Sequence, residues 1–327
     1  MDNDNGIFEV TTLPSPSSTA SQILVCDVGG SHISAAVCRN RELELGPVVS
    51  AAYASAQSPA AFVELIHALA VRATEGAAHE VPSAIAGLSL AFPGPFDYEQ
   101  GISRMKHKLA YLNGVDLRGM LADEFACAPR SVQFLNDAAA FLLGESGAGA
   151  AKGADKLLCL TFGTGLGAAF AIQGKQVSEG HGIPDGGELW SHPYEGGILE
   201  DRLSTRAIRG TYAKLTGRDA EVSELAHNAE RDPAARAAFE EFGRNLGNAL
   251  RTELAEFAPA TVVMGGNISR SAHLFLPAAK HALGNAPFDL KVSALFDRAA
   301  LYGAALHWYG GGHGVGGARA GSGGTQL

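Results

Sequence analysis

The chain has 327 residues, 46% of them hydrophobic, and a formal net charge of −9. That length suits two domains, and that charge argues against a nucleic-acid or anionic-membrane surface. Its four cysteines form no CxxC pair and no apolar run approaches the ~18 residues of a membrane span, so reduced thiols in the cytoplasm are expected.

In chain order, residues 1–22 read as a flexible leader, rich in Ser, Thr, Pro and Asp and too acidic for a signal peptide. ILVCDVGGSHISAAVCR then reads as strand, tight turn, strand. SPAAFVELIHALAVRATEG carries apolar residues at helical spacing, with Ser58 as a cap before Pro59. AIAGLSLAF is a buried strand, VDLRGMLADEFA a helix, SVQFLN a strand, and DAAAFLLGESGAGA a helix that starts at once. KLLCLTFGTGLGAAFAIQG is a second strand–turn–strand. AARAAFEEFGRNLGNALRTELAEFA is a long amphipathic helix, TVVMGG a strand and RAALYGAALHWY a closing helix. Residues 310–327 read as a disordered Gly-rich tail, and its lone histidine, His313, is no basis for a metal site. DVGGSHISAAV and FGTGLGAAF are a short internal repeat, which suggests two similar α/β halves around a cleft.

Each repeat is a glycine turn with one hydroxyl, Ser31 or Thr164. Amides bared by glycine suit phosphate oxygens, and Asp27 beside the first turn suits Mg²⁺ held through water. In LNDAAAFLLGE, Asn136 and Asp137 fall between strand and helix. Either is a helix cap worth about 1 kcal/mol, and Asp137 is also a candidate general base. GGELWSHPYEGGILEDRLS gathers Glu188, His192, Glu195, Glu200 and Asp201 in an irregular loop suited to a polyhydroxyl ligand or simply to solvent. Gly265–Gly266 close a strand where α/β folds commonly seat a nucleotide.

DVGGSH, FPGPFD, LNDAAAFLLGE, FGTGLGAAF, GGELWSH, ILEDRLSTRAI and VVMGGNIS occur in the order found in the ROK family, which the chain resembles over about residues 23–309. The resemblance implies a two-lobed, actin-like (ribonuclease H-like) α/β fold with a hinged cleft. Residues 23–136 plus 297–309 would form the small lobe and 137–296 the larger one. It also implies a glucokinase-like sugar kinase that uses ATP and Mg²⁺ on a hexose hydroxyl. By position, Asp27, Gly29, Gly30, Ser31 and His32 would form the first phosphate loop and Gly163, Thr164 and Gly165 the second. Gly265 and Gly266 would face adenosine. Asp137 would be the base, with Asn136, Glu188, His192 and Glu200 on the sugar. Three departures bear on the choice of sugar. The family's E-x-G-H is E-L-W-S-H here. No cysteine lies between His192 and Glu200, so no structural zinc is expected. MKHKLAYLNG replaces an Asn-Leu contact, leaving His107 as the nearest substitute. The leader is too short for the DNA-binding domain of the family's repressors. Dimers are usual in the family, so the resemblance admits a homodimer, but the sequence itself does not fix the oligomeric state. A sugar sensor without catalysis, or a kinase for an amino sugar, is the alternative.

Overall fold

A computed structural model describes residues 22–53, 56–74, 85–106 and 109–310 of the chain. The tail from residue 311, the leader through residue 21 and His107 lie outside them. Two five-stranded mixed sheets organise the rest. The first contains β1 (Gln22–Val28), β2 (His32–Cys38), β3 (Val49–Ala52), β4 (Ile85–Phe92) and β7 (Val132–Asn136) in the order β3-β2-β1-β4-β7. The second contains β8 (Lys156–Phe162), β9 (Leu166–Ile172), β10 (Lys175–Val177), β13 (Thr261–Gly265) and β14 (Asp289–Val292) in the order β10-β9-β8-β13-β14. Each runs antiparallel through its first three strands in sequence and parallel through the other two. The short repeat seen in the sequence is thus the visible part of a duplicated sheet. Two-residue ribbons, β5 (Phe96–Asp97) with β6 (Ile102–Ser103) and β11 (Pro193–Tyr194) with β12 (Gly197–Ile198), tie down loops beyond the sheets.

Helices cover both faces of each sheet. Alternation in β1 turns Leu24, Cys26 and Val28 toward α1 (Pro59–Ala73) and α2 (Leu117–Glu124). Ile23 and Val25 turn the other way, toward α8 (Ala299–Tyr309). On the second sheet, α4 (Thr205–Thr216), α5 (Val222–Asn228), α6 (Pro233–Thr252) and α7 (Ala272–Leu283) share one core, while α3 (Asp137–Ala148) packs on the opposite face. The helices α3 and α8 pack on one another, so this pair joins the two sheets. Their contact surface is small-sided. A Cβ on Gly144 would overlap the Ala299 carbonyl, and one on Gly303 would overlap that of Ala140. Leu142 and Leu301 are fully buried beside the crossing, each contributing about 1.5–3 kcal/mol. The carboxylate of Glu145, also fully buried, accepts from Ala150 N, Leu295 N and the Ser293 hydroxyl, which fastens α3 to the segment leading into α8.

Two helices end earlier than the sequence predicts, and α4, α5, α7 and β14 lie outside the sequence reading altogether. The helix expected over 234–258 ends at Thr252, because the chain turns to bury Leu254 and Phe257, the latter edge-on against Phe170. The helix read as far as Ala150 ends at Ala148, where the Glu145 side chain takes the Ala150 amide. The helix α4 grows directly out of the loop that ends at Ser204. All four cysteines are free thiols. No helix among the described residues is long and apolar enough to cross a membrane.

Candidate active site

The parallel strands β1, β4 and β7 end along one edge of the first sheet. Asp27 pairs with Ala91 and Phe92 with Asn136, so Asp27 and Asn136 stand on the same carboxyl edge. The second sheet presents the matching edge, where Thr161 pairs with Gly265. Ligands of open α/β sheets bind outside such edges.

Each glycine turn projects from its edge. In the first, Gly29 N donates to His32 O (2.9 Å), Tyr53 holds the Gly29 carbonyl through its hydroxyl (3.1 Å), and the Ser31 hydroxyl meets His32 Nδ1 (2.8 Å). In the second, the Gly163 carbonyl accepts from both the amide and the hydroxyl of Thr205 at 2.8 Å. A Cβ added to Gly163 would meet nothing within 4 Å, and one added to Gly30 would lie 3.9 Å from Thr164 Oγ1. The tip of the first turn therefore lies within a methyl's contact distance of the Thr164 side chain, which brings the two turns together, while Gly163 has open space over its Cα for an anion against the backbone.

Asp27 is the penultimate residue of β1, two positions before Gly29. Burial, and then the neighbouring carboxylates of Asp137 and Asp297, push its pKa from the ordinary 3.8 up to about 7. An acid whose pKa is raised mainly by burial and then by neighbouring carboxylates fits a divalent cation, which would relieve the desolvation and the repulsion together. A raised folded-state pKa favours the protonated native form, so the group's stabilisation is present below the ordinary value and lost as pH climbs toward 7. Asp27→Asn removes that dependence. With chelator present, the variant is expected to melt close to wild type at pH 4 and above it at pH 8. A gap that stays constant with pH would show that Asp27 titrates normally.

Between strand and helix, the cap is Asn136: its Oδ1 accepts from Ala139 N at 3.1 Å. Asp137 is instead the first residue of α3, its Oδ1 accepting from Ala138 N at 2.9 Å. Asn136 Nδ2 donates to the Tyr98 hydroxyl (3.1 Å), which in turn donates to Phe92 O (3.0 Å). Burial raises the Tyr98 pKa above the usual tyrosine range, and the carboxylates of Asp137 and Glu188 add to the rise. Asp137 thus lies within electrostatic reach of Asp27 on one side and, with Glu188, of Tyr98 on the other. Tyr98 was not singled out in the sequence, although it directly follows the FPGPFD stretch.

The loop after Glu188 distributes its polar groups. Glu188 accepts from Trp190 Nε1 at 2.7 Å. His192 Nε2 pairs with Glu253 at the end of α6 (3.1 Å). Glu200 accepts from Leu166 N (3.1 Å) and lies 2.7 Å from where a Cβ on Gly165 would stand, so this carboxylate is seated on the second glycine turn. Gly265 and Gly266 have packing reasons of their own. A Cβ on Gly265 would strike the Phe141 ring, and Gly266 holds a left-handed φ of 78° with Phe162 backbone against it. No cluster of three or more His, Cys, Asp or Glu suited to a metal ion occurs among the described residues.

With this geometry in view, the relatives are informative. The chain is 29% identical over 251 residues to a glucokinase of Thermotoga maritima, covering 67% of this chain and 77% of that protein. It is 26% identical over 239 residues to a β-glucoside kinase of Listeria innocua, covering 68% and 79%. A match to an uncharacterised Clostridium perfringens protein, 29% identical, spans 57% of that protein's length. The ROK hexokinase structure from Thermus thermophilus superposes with a TM-score of 0.67 at 26% identity, covering 87% of this chain and 97% of that one. This neighbour carries the two-domain actin-like ATPase fold to which the paired sheets correspond. Residues 23–310 match the ROK family as a whole, and the chain belongs to that family.

Proposed function

We propose that the protein is an ATP- and Mg²⁺-dependent sugar kinase that phosphorylates a hexose hydroxyl. The observation that carries this reading is the meeting of the two glycine turns, Gly30 beside Thr164, with Asp137 in electrostatic reach of both Asp27 and the Tyr98–Glu188 side. A sugar sensor would have no use for two bare turns and a carboxylate of raised pKa just before the first. Relatives named glucokinase and β-glucoside kinase support a sugar as acceptor.

In this reading Asn136, Glu188 and His192 hold the sugar. Asp137 takes the proton of the attacking hydroxyl as its oxygen bonds to the γ-phosphorus and the bond to the bridging oxygen of ADP breaks. The amides around Gly29–Gly30 and Gly163–Gly165 hold phosphate oxygens in line. Glu200, bonded to the second turn, links that turn to the sugar loop, so filling one side steadies the other. Bound Mg²⁺ would neutralise phosphate charge beside Asp27. The lobes divide as 23–136 plus 297–309 and 137–296, and closing them excludes competing water. We place the enzyme in the cytoplasm, without nucleic-acid or membrane partners, in keeping with its net charge of −9 and free thiols, and take a homodimer only as the family's usual assembly.

Coupled ADP release across hexoses, hexosamines and N-acetylhexosamines tests the activity. Sugar-dependent release that needs Mg²⁺ is the expected result. Thermal stabilisation by sugar with no turnover on any acceptor would reject the kinase in favour of a sensor.

A further inference from the structure

The residue that should cap α4, Ser204, makes no capping bond: its hydroxyl is fully buried and has no partner among the described residues. Thr205, the first helical residue, instead turns both of its donors out of the helix. Its amide and its hydroxyl each reach the Gly163 carbonyl at 2.8 Å. That acceptor lies 42 positions earlier in the chain, so the bonds are a tie between α4 and the second glycine turn rather than a local helix start. The helix is a firm mount for the tie, with Ile208 and Tyr212 buried in the core of the second sheet. Two donors occupy both lone pairs of the carbonyl and fix the plane of the Gly163–Thr164 peptide, where one donor would leave it free to pivot. In a trans peptide the N–H points opposite to the carbonyl, so the Thr164 amide is aimed away from α4. The far flank of the turn is held as well, since Leu166 N donates to Glu200 (3.1 Å). Between these ties the amides of Thr164 and Gly165 have no acceptor among the described residues, and Thr164 is exposed.

We propose that Thr205 is a positioning residue for phosphoryl transfer: it locks the Gly163 peptide so that the Thr164 and Gly165 amides stay set for the phosphate oxygens of the nucleotide. The inference rests on the kinase reading above and adds to it a residue that acts through the turn rather than on a substrate. Glycine loses more conformational freedom on ordering than any other residue, so an untied Gly-Thr-Gly turn would have to be fixed afresh each time a phosphate arrived. Bonds made before the nucleotide binds remove that cost and present the amides already oriented as charge shifts on the transferring group. Threonine suits the task, because its β-branch restricts χ1 and keeps the hydroxyl on its acceptor. Glu200 and Thr205 belong to one short segment, which therefore holds both flanks of the turn.

The test compares wild type, Thr205→Val, Thr205→Ser and Ser204→Ala, with Tm recorded for each. In Thr205→Val, kcat/KM for ATP at saturating hexose is expected to fall about tenfold, while the Kd of the hexose, by calorimetry without nucleotide, stays within about twofold of wild type. Thr205→Ser should recover most of the loss, and Ser204→Ala, which alters the same helix start but no bond, should match wild type. If Thr205→Val does not fold, Thr205→Ala takes its place. An unchanged kcat/KM for ATP would overturn the proposal. So would equal losses for ATP and hexose, no recovery in Thr205→Ser, or the same loss in Ser204→Ala, since Thr205 would then serve only the packing of the loop. A second readout needs no turnover: the rise in Tm with Mg-ATP alone should shrink in Thr205→Val, while the rise with hexose alone should not. Equal Mg-ATP stabilisation in both proteins counts against the proposal. Wild type that phosphorylates no hexose ends the kinase reading. If Mg-ATP still stabilises that protein in a Thr205-dependent way, the positioning role stands; if Mg-ATP does not stabilise it, both fall.

Discussion

Replacing Asp137 with asparagine is expected to leave a folded, sugar-binding protein whose turnover falls by about 10²–10⁴-fold, the usual contribution of a positioned general base. The structure makes this substitution unusually clean. The cap of α3 is supplied by Asn136, so its bond to Ala139 N survives. Removing the negative charge from the first helical turn costs about 0.3–1 kcal/mol of dipole interaction, and relief of the repulsion with Asp27 offsets part of it. Stability and sugar affinity, by thermal melt and calorimetry, should therefore stay near wild type while kcat collapses. Near-normal kcat would remove Asp137 from the chemistry. Asn136→Ala provides the contrast. It deletes a cap worth about 1 kcal/mol and the hold on Tyr98, so it should lower both stability and sugar binding.

The second large effect is on stability. Gly303→Ala places a methyl against the Ala140 carbonyl at the α3–α8 crossing. Backbone cannot move aside as a side chain can, so the helices must separate. A loss of about 3 kcal/mol is expected, at the upper end for overpacking. Gly210→Ala, in the helix α4 with nothing within 4 Å of the new methyl, should instead gain about 0.4–1 kcal/mol from reduced chain freedom. Urea midpoints of the two variants should move in opposite directions. If Gly303→Ala is as stable as wild type, the pair is not the tight joint described here.

What the sequence disclosed, and what it hid, follows from the range of each interaction. The strand–turn–strand units around Gly29–Gly30 and Gly163–Gly165 were legible because alternation and glycine are local signals. The helix α7 was not, since Pro277 interrupts its pattern, and the edge strand β14 carries only half-buried and exposed side chains. Whether Asn136 or Asp137 caps α3 is decided by one residue of phase, beyond the precision of any pattern. Gly265 looked like a ligand-facing residue by position, yet a ring from α3, more than a hundred residues earlier in the chain, accounts for its missing side chain. Glu145 gave no sign at all, because three of its partners, Ser293, Ala294 and Leu295, come from the far end of the chain.

The placement of α8 also bears on how the polypeptide is made. This helix is the last described element to leave the ribosome, yet it covers Ile23, Val25, Ala91 and Leu135 of the sheet that emerges first. Until Ala299 has been synthesised, that face of the earliest sheet has only Ala140 and Leu143 of α3 against it while the rest of the second half forms around its own core. The nascent chain thus carries an incompletely covered, aggregation-prone apolar face while its second half is being made, and that face closes only when the last described helix emerges.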